Sequence, residues 1–284
     1  MVLSGLPVLR CREKSHFQVT VAGIDSEHQR LKLKGSGDRE ASHGRKVSVM
    51  KRNPFRFHYH FQFPDHSTKD YLIALDPNTL SLLREECDRE PAQWTRLEFE
   101  QCQCCPLAPD MHPWCPIALN IMELVHSFKG LFSYHDCTVT CETAERSYSK
   151  RTSVMEGLSA IFGVIMATSD CPVMEFLKPM ARFHLPFATI EETTVRTASM
   201  YLLAQYFLHK DREGMRFDFK TLERHYAKVQ QVNEGLLKRI NSVNSEDADK
   251  NAIITLHSLS QFLSMEIDYS LGGLESIFAG RYSD

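Results

Sequence analysis

No stretch of this sequence is apolar for long enough to cross a bilayer. The longest strongly apolar run, Leu158 to Ala167, is about half of the roughly 20 residues that a membrane helix needs. The opening Val2–Leu9 segment is apolar but short, and it precedes its basic residues instead of following them, the reverse of a signal peptide. A charge excess is lacking too. The net charge of −3 leaves no overall footprint for nucleic acid or a membrane surface. The P-loop, the G-x-G-x-x-G fingerprint and the H-E-x-x-H pair are all missing, which removes the familiar nucleotide and metalloprotease signatures. There is no internal repeat.

What is present is an ordinary globular composition, 43% hydrophobic and 24% charged over 284 residues, ample for a self-sufficient core. The expected setting is the cytoplasm. Nine cysteines there, an odd number, point to thiols or metal ligands more than to disulfides.

Residues 1–50 read as a flexible basic extension. Between Arg30 and Arg52 there are eight Lys or Arg against two acids, and too few apolar residues to offset ordering entropy. Residues 51–284 read as a single α+β domain, with a sheet part over 54–150 and a helical part over 152–280. Phe55, Phe57, Tyr59, Phe61 and Phe63 alternate with Arg56, His58, His60 and Gln62, the period of a strand with one buried aromatic face. His58 and His60 share the polar face and read as exposed. A second strand is expected at Tyr71–Leu75, a short helix over Leu80, Leu83 and Cys87, and a third strand at Leu97–Phe99. Pro116 fits the first turn of a helix carrying Ile117, Ile121, Leu124, Val125 and Phe128. Cys137, Val139 and Cys141 alternate as a fourth strand, and Arg146, Tyr148 and Lys150 suggest a fifth. An antiparallel sheet of four or five strands follows, packed against a mainly helical C-terminal half.

Ser153 with Glu156 and Thr189 with Glu192 are capping boxes. The first opens a helix that is apolar nearly all round, the expected core helix. Two long amphipathic helices close the chain: Leu222, Tyr226, Val229, Val232, Leu236 and Ile240 line one, and Ile253, Leu256, Leu259, Leu263 and Ile267 the other. These stripes are read first as intramolecular packing and second as a homodimer surface.

The chemistry-bearing stretch is Gln101–Asn120, with four cysteines. Cys102, Cys105 and Cys115 form a C-x2-C…C set, and thiolates two residues apart on a turn suit adjacent corners of a tetrahedral zinc site. The fourth ligand is assigned to Cys171, which like Cys105 and Cys115 precedes a proline; His112 and Cys104 are alternates. Zinc is favoured over an iron–sulfur cluster, which loop-borne Cys-Pro pairs also suit. Unmetallated thiols with no cofactor stay open, and Cys137 and Cys141 read as small buried hydrophobes.

These motifs also carry a resemblance. Cys102-x-x-Cys105-Pro106-Leu107, Cys115-Pro116-Ile117-Ala118, Glu145-Arg146 with Lys150, Met166–Pro172 and Leu177–Phe187 together resemble an uncharacterised bacterial family known only as a domain of unknown function. The likeness runs from Pro54 to the C-terminus and implies no activity. It implies a glycine where this chain has Asp170.

Three function classes remain. The leading one is a non-catalytic metal or thiol protein built on Cys102, Cys105, Cys115 and Cys171. The second is an enzyme acting on a small anionic substrate, with Cys171 as nucleophile, His184 as acid or base, and Lys178 and Arg182 holding the anion, joined by Arg146, Lys150 and Arg196. In the third, the closing helices form a partner-binding or dimerising module.

Overall fold

The computed structural model describes residues 53–84, 90–210, 218–243, 247–268 and 271–279. The expected N-terminal extension lies outside them, as do Cys87 and the Leu256 and Leu259 side chains. Four antiparallel strands, β1 (Phe55–Gln62), β2 (Thr68–Leu75), β3 (Asp136–Glu142) and β4 (Ser147–Ser153), lie in the order β2-β1-β3-β4. Alternation decides the two faces. Phe57, Tyr59, Phe61, Ile73, Leu75, Cys137, Val139 and Cys141 are all buried, while His58 and His60 sit on the wet face and share Asp70 Oδ1 at 2.9 Å each.

The helices are α1 (Pro116–Ser127), α2 (Val154–Thr168), α3 (Lys178–Arg182), α4 (Ile190–His209), α5 (Lys220–Ser242), α6 (Asp247–Asp268) and the short α7 (Glu275–Phe278). The fold is α+β, with the sheet in the N-terminal half and helices after it. The all-round apolar α2 is the centre: it touches β1, β3 and β4 on one side and α1, α3 and α6 on the others. Gly157 permits that approach, since a Cβ there would stand 2.5 Å from Phe61 Cε1. The α2 cap is half a box. Ser153 accepts from the Glu156 N–H, but the Glu156 carboxylate goes to Lys150 Nζ (2.5 Å) and the Thr152 hydroxyl instead. The Thr189–Glu192 box of α4 is complete.

Two expected elements take another form. Leu97–Phe99 is not a strand: a 3-10 turn at Gln93–Thr95 precedes it, and a single bridge joins Arg96 to Trp114. Leu97 is buried as expected, yet its backbone is served outside any sheet, its N–H by Pro113 O and its carbonyl by Arg239. The helix over Leu80–Cys87 is also absent from its described part, where Leu82 bridges back to Leu75. Asp170 lies past the end of α2 with φ +58°, a left-handed position that glycine takes most readily.

The apolar stripe of α5 is buried along its length, so one chain consumes it. On α4 the apolar residues Leu203, Tyr206, Phe207 and Leu208 are exposed, while Thr193, Thr194, Thr197 and Ala198 are the buried ones. Among the described residues no helix is long and apolar enough to cross a membrane.

Candidate functional site

Four cysteines line one small cavity of about 20 Å³: Cys102, Cys105 and Cys115 from one stretch of chain, and the distant Cys171. Each arrives by a separate local device. Cys102 and Cys105 are the ends of a tight turn closed by Cys105 N–H donating to Cys102 O at 2.9 Å. Cys115 is the extended residue that caps α1, with Pro116 in the first turn, and its own N–H is taken by Thr95 O at 2.8 Å. Cys171 follows the end of α2, and its carbonyl accepts from the Met174 N–H at 2.9 Å.

Helix α5 closes the cavity from the other side through Val232, Leu236 and Arg239. Its approach depends on Gly235, where a Cβ would stand 2.9 Å from Cys102 Sγ. Burial, followed by the neighbouring Cys115, Cys104, Cys105 and Cys171, pushes the Cys102 thiol up to about 12. Burial likewise pushes Cys171 to about 11, with Cys115 and Cys105 adding to it. Cys102 and Cys171, while bare, are therefore neutral at ordinary pH and poor nucleophiles until something positive joins them. All described cysteines are free.

Arg239 is 1% exposed and meets no carboxylate among the described residues. Nη1 donates to the carbonyls of Trp94 (2.7 Å) and Arg96 (2.6 Å), Nη2 to Leu97 O (2.9 Å), and Nε has no partner. A buried guanidinium without a counter-ion is costly, and the four thiols are the groups beside it that can become anionic. Sequence reasoning missed Arg239 and Gly235. In the amphipathic α5 pattern, an arginine between Leu236 and Ile240 looks like any wet-face residue.

The thiols share a cavity but not a finished ligand set. Among the described residues no group of three or more His, Cys, Asp or Glu stands as it is in an arrangement that could hold a metal ion, so the sulfurs are not at the close spacing expected of a closed zinc centre. Neither alternate ligand lines the cavity. Cys104 turns its thiol to Lys228 O at 3.6 Å on α5, and His112 is exposed.

The anionic-substrate residues are dispersed. Cys171 lines the thiol cavity, whereas His184 lines a larger one between the helices and bonds through Nε2 to the Tyr59 hydroxyl. Burial, then Arg196, drops the His184 ring to about 3, so it is neutral. Lys178, expected to hold the anion, is buried and paired with Asp170 Oδ1 (2.8 Å) and Glu175 Oε1 (3.1 Å). Arg182 lies flat over the Phe55 ring at 3.5 Å and faces Glu145 at 3.8 Å. Lys150 is held by Glu156, and Arg146 lies in the β3–β4 turn closed by Thr143. Phe183 is 59% exposed, and its carbonyl accepts from Arg196 Nη2.

No curated protein and no solved structure matches this chain. A family model does, over residues 57–279, and the chain belongs to that family, a domain of unknown function designated DUF6901.

Proposed function

We propose that this domain is a cytoplasmic metal-binding protein, in which Cys102, Cys105, Cys115 and Cys171 hold one zinc ion as thiolates and thereby staple the fold. The observation that carries the reading is the convergence of the three Gln101–Asn120 thiols and the distant Cys171 on one cavity, beside a buried arginine that meets no carboxylate among the described residues. Zinc with four thiolates is net anionic, the counter-ion that Arg239 is missing. The C-x2-C turn, closed by Cys105 N–H on Cys102 O, also suits a thiolate centre. The space, about 20 Å³, is on the order of one water. That fits a single ion better than a multi-iron cluster. Closing the site asks each thiol to turn about χ1 into the cavity, a change between ordinary staggered rotamers.

The elements such an ion would join are the loop after the 3-10 turn, the start of α1 and the end of α2, with α5 packed behind. Binding energy at a site of this kind is folding energy, so the role is structural. The enzyme reading has less support, because Cys171 and His184 line different cavities and Lys178 and Arg182 are engaged by carboxylates.

The test is elemental analysis with an absorption spectrum on freshly purified protein, for the parent and for Cys115→Ser and Cys171→Ser. One zinc per chain, no colour, and loss of zinc in both variants is the expected result. A brown protein absorbing near ~400 nm would replace zinc by an iron–sulfur cluster. Metal-free parent protein whose stability is unmoved by a strong chelator or by either serine would sink the metal reading.

A further inference from the structure

A second, larger cavity lies elsewhere, among α2, the α3–α4 connection, α4, α5 and α6. Its volume is about 500 Å³, within the roughly 300–1,000 Å³ typical of small-ligand sites. Most of its wall is apolar, with Met155, Met166, Met174 and Met180 among the lining side chains. Methionine thioethers adapt to varied apolar shapes. The cavity is open to solvent on one side, so a ligand can enter it and take apolar wall out of contact with water.

Among the polar residues in the wall, two positions keep hydrogen-bonding capacity that the protein does not use. Arg196 lines the cavity and uses only Nη2, which donates to Met180 O (3.2 Å) and Phe183 O (2.5 Å). Its Nε and Nη1 meet no acceptor among the described residues. The acids near it are committed: Glu192 caps α4 through Thr189, and Glu156, also in the wall, is held by Lys150 and Thr152. His184 lies beside it. Its bond to Tyr59 engages only Nε2, which leaves Nδ1, the donor in one of the two neutral tautomers, for a ligand. A guanidinium with spare donors and a neutral imidazole N–H is a carboxylate receptor.

The other position is Asn233, which is 1% exposed and whose Oδ1 has no hydrogen-bond partner. Its amide nitrogen reaches Ser260 Oγ at 3.4 Å. On α5 it stands two turns, about 10 Å, beyond Tyr226, the residue whose hydroxyl meets Thr197 beside Arg196. Carboxylate receptor and orphan acceptor are thus separated by a stretch of apolar wall.

We propose that this cavity binds an apolar carboxylic acid, with its carboxylate on Arg196 and His184 and its hydrocarbon body along the methionine-lined wall toward Asn233. The site is independent of the cysteine cavity, and its failure would leave the metal reading untouched.

The experiment is calorimetric titration of the full chain at neutral pH with decanoate, 4-phenylbutanoate and 1-decanol. At least one carboxylate should bind and raise the melting temperature, with 1-decanol at least ~10-fold weaker than decanoate, the scale of one charge-assisted contact. Arg196→Gln should erase the preference of acid over alcohol without abolishing alcohol binding. Ala160→Phe, which projects a ring into the cavity from α2, should abolish both and leave the circular dichroism spectrum unchanged. If neither carboxylate binds, if acid and alcohol bind alike, or if Ala160→Phe leaves binding intact, the proposal is wrong. The Ala160→Phe arm stands even if Arg196→Gln does not fold.

Discussion

Gly235→Ala separates the thiol cavity from ordinary helix energetics, because the two demand opposite signs. In an exposed helix interior, replacing glycine by alanine stabilises by about 1 kcal/mol. Here the new Cβ would stand 2.9 Å from Cys102 Sγ, a separation that packed carbon atoms do not adopt, and 3.5 Å from Cys102 Cα and Glu100 O. The backbone contacts are ordinary, so the thiol is what must give. It can do so by rotating out of the cavity or by pushing α5 back, and overpacking of this kind costs about 1–3 kcal/mol. Against the helix gain, a net loss of ~0–2 kcal/mol follows, or a melting temperature lower by up to several degrees at ~2–4 °C per kcal/mol for a domain of this size. Whichever route relieves the contact, Cys102 leaves the position where it can join Cys105, Cys115 and Cys171. The assay is therefore double: thermal melting with and without chelator, and metal content per chain. The parent should lose stability on chelation, and Gly235→Ala should carry little metal and respond little to chelator. A variant that melts higher than the parent and keeps full metal would refute the packing and the ligand set together.

Arg239→Met should cost about 3 kcal/mol or more, since the carbonyls of Trp94, Arg96 and Leu97 lose their donors in a buried place; a urea midpoint within error of the parent would show that those carbonyls find water. Gly157→Ala should destabilise by a further 1 kcal/mol or so beyond the helix gain, because the contacts of 2.5 and 2.7 Å are to the Phe61 ring and Val139 Cγ2 is only 3.0 Å away; a stabilised variant would mean that the sheet and α2 are looser than described. His184 ionises near 6.5 when unfolded and near 3 in place, so the unfolded chain binds the extra proton. The stability it contributes is complete above pH 6.5 and is lost as pH falls toward 3, by at most about 1.4 kcal/mol per pH unit. Melts between pH 7 and 4.5 should fall more steeply for the parent than for His184→Gln, and parallel curves would refute a buried neutral ring.

Much of the architecture was legible in the chain because its signals are local. Strict alternation at Phe55–Phe63 and Cys137–Cys141 gave strands with the buried faces seen, and Thr189 with Glu192 marked the start of α4 by its own hydrogen bonds. Where alternation was brief, as at Leu97–Phe99, burial was read correctly but not the backbone, since a buried carbonyl can be satisfied by a distant arginine as well as by a neighbouring strand. Lys178 looked like a surface charge for the same reason: only the fold brings Asp170 to one side of it and Glu175 to the other.

The cysteine cavity divides along the same line. The Cys102–Cys105 turn and the proline-started helix after Cys115 are short-range geometry, determined by residues within a few positions. That Cys171 joins them and Cys104 does not follows from how α2 ends and α5 packs, and those are choices of the whole core. For the second cavity the chain offered His184 and Arg196 as partners in holding an anion, but not the volume they line. Its polar positions, Arg196, His184 and Asn233, sit on α4, the α3–α4 connection and α5, and no spacing along a sequence encodes which helices leave a volume between them. Periodicity determines what each segment buries; only the packing of segments determines what they enclose.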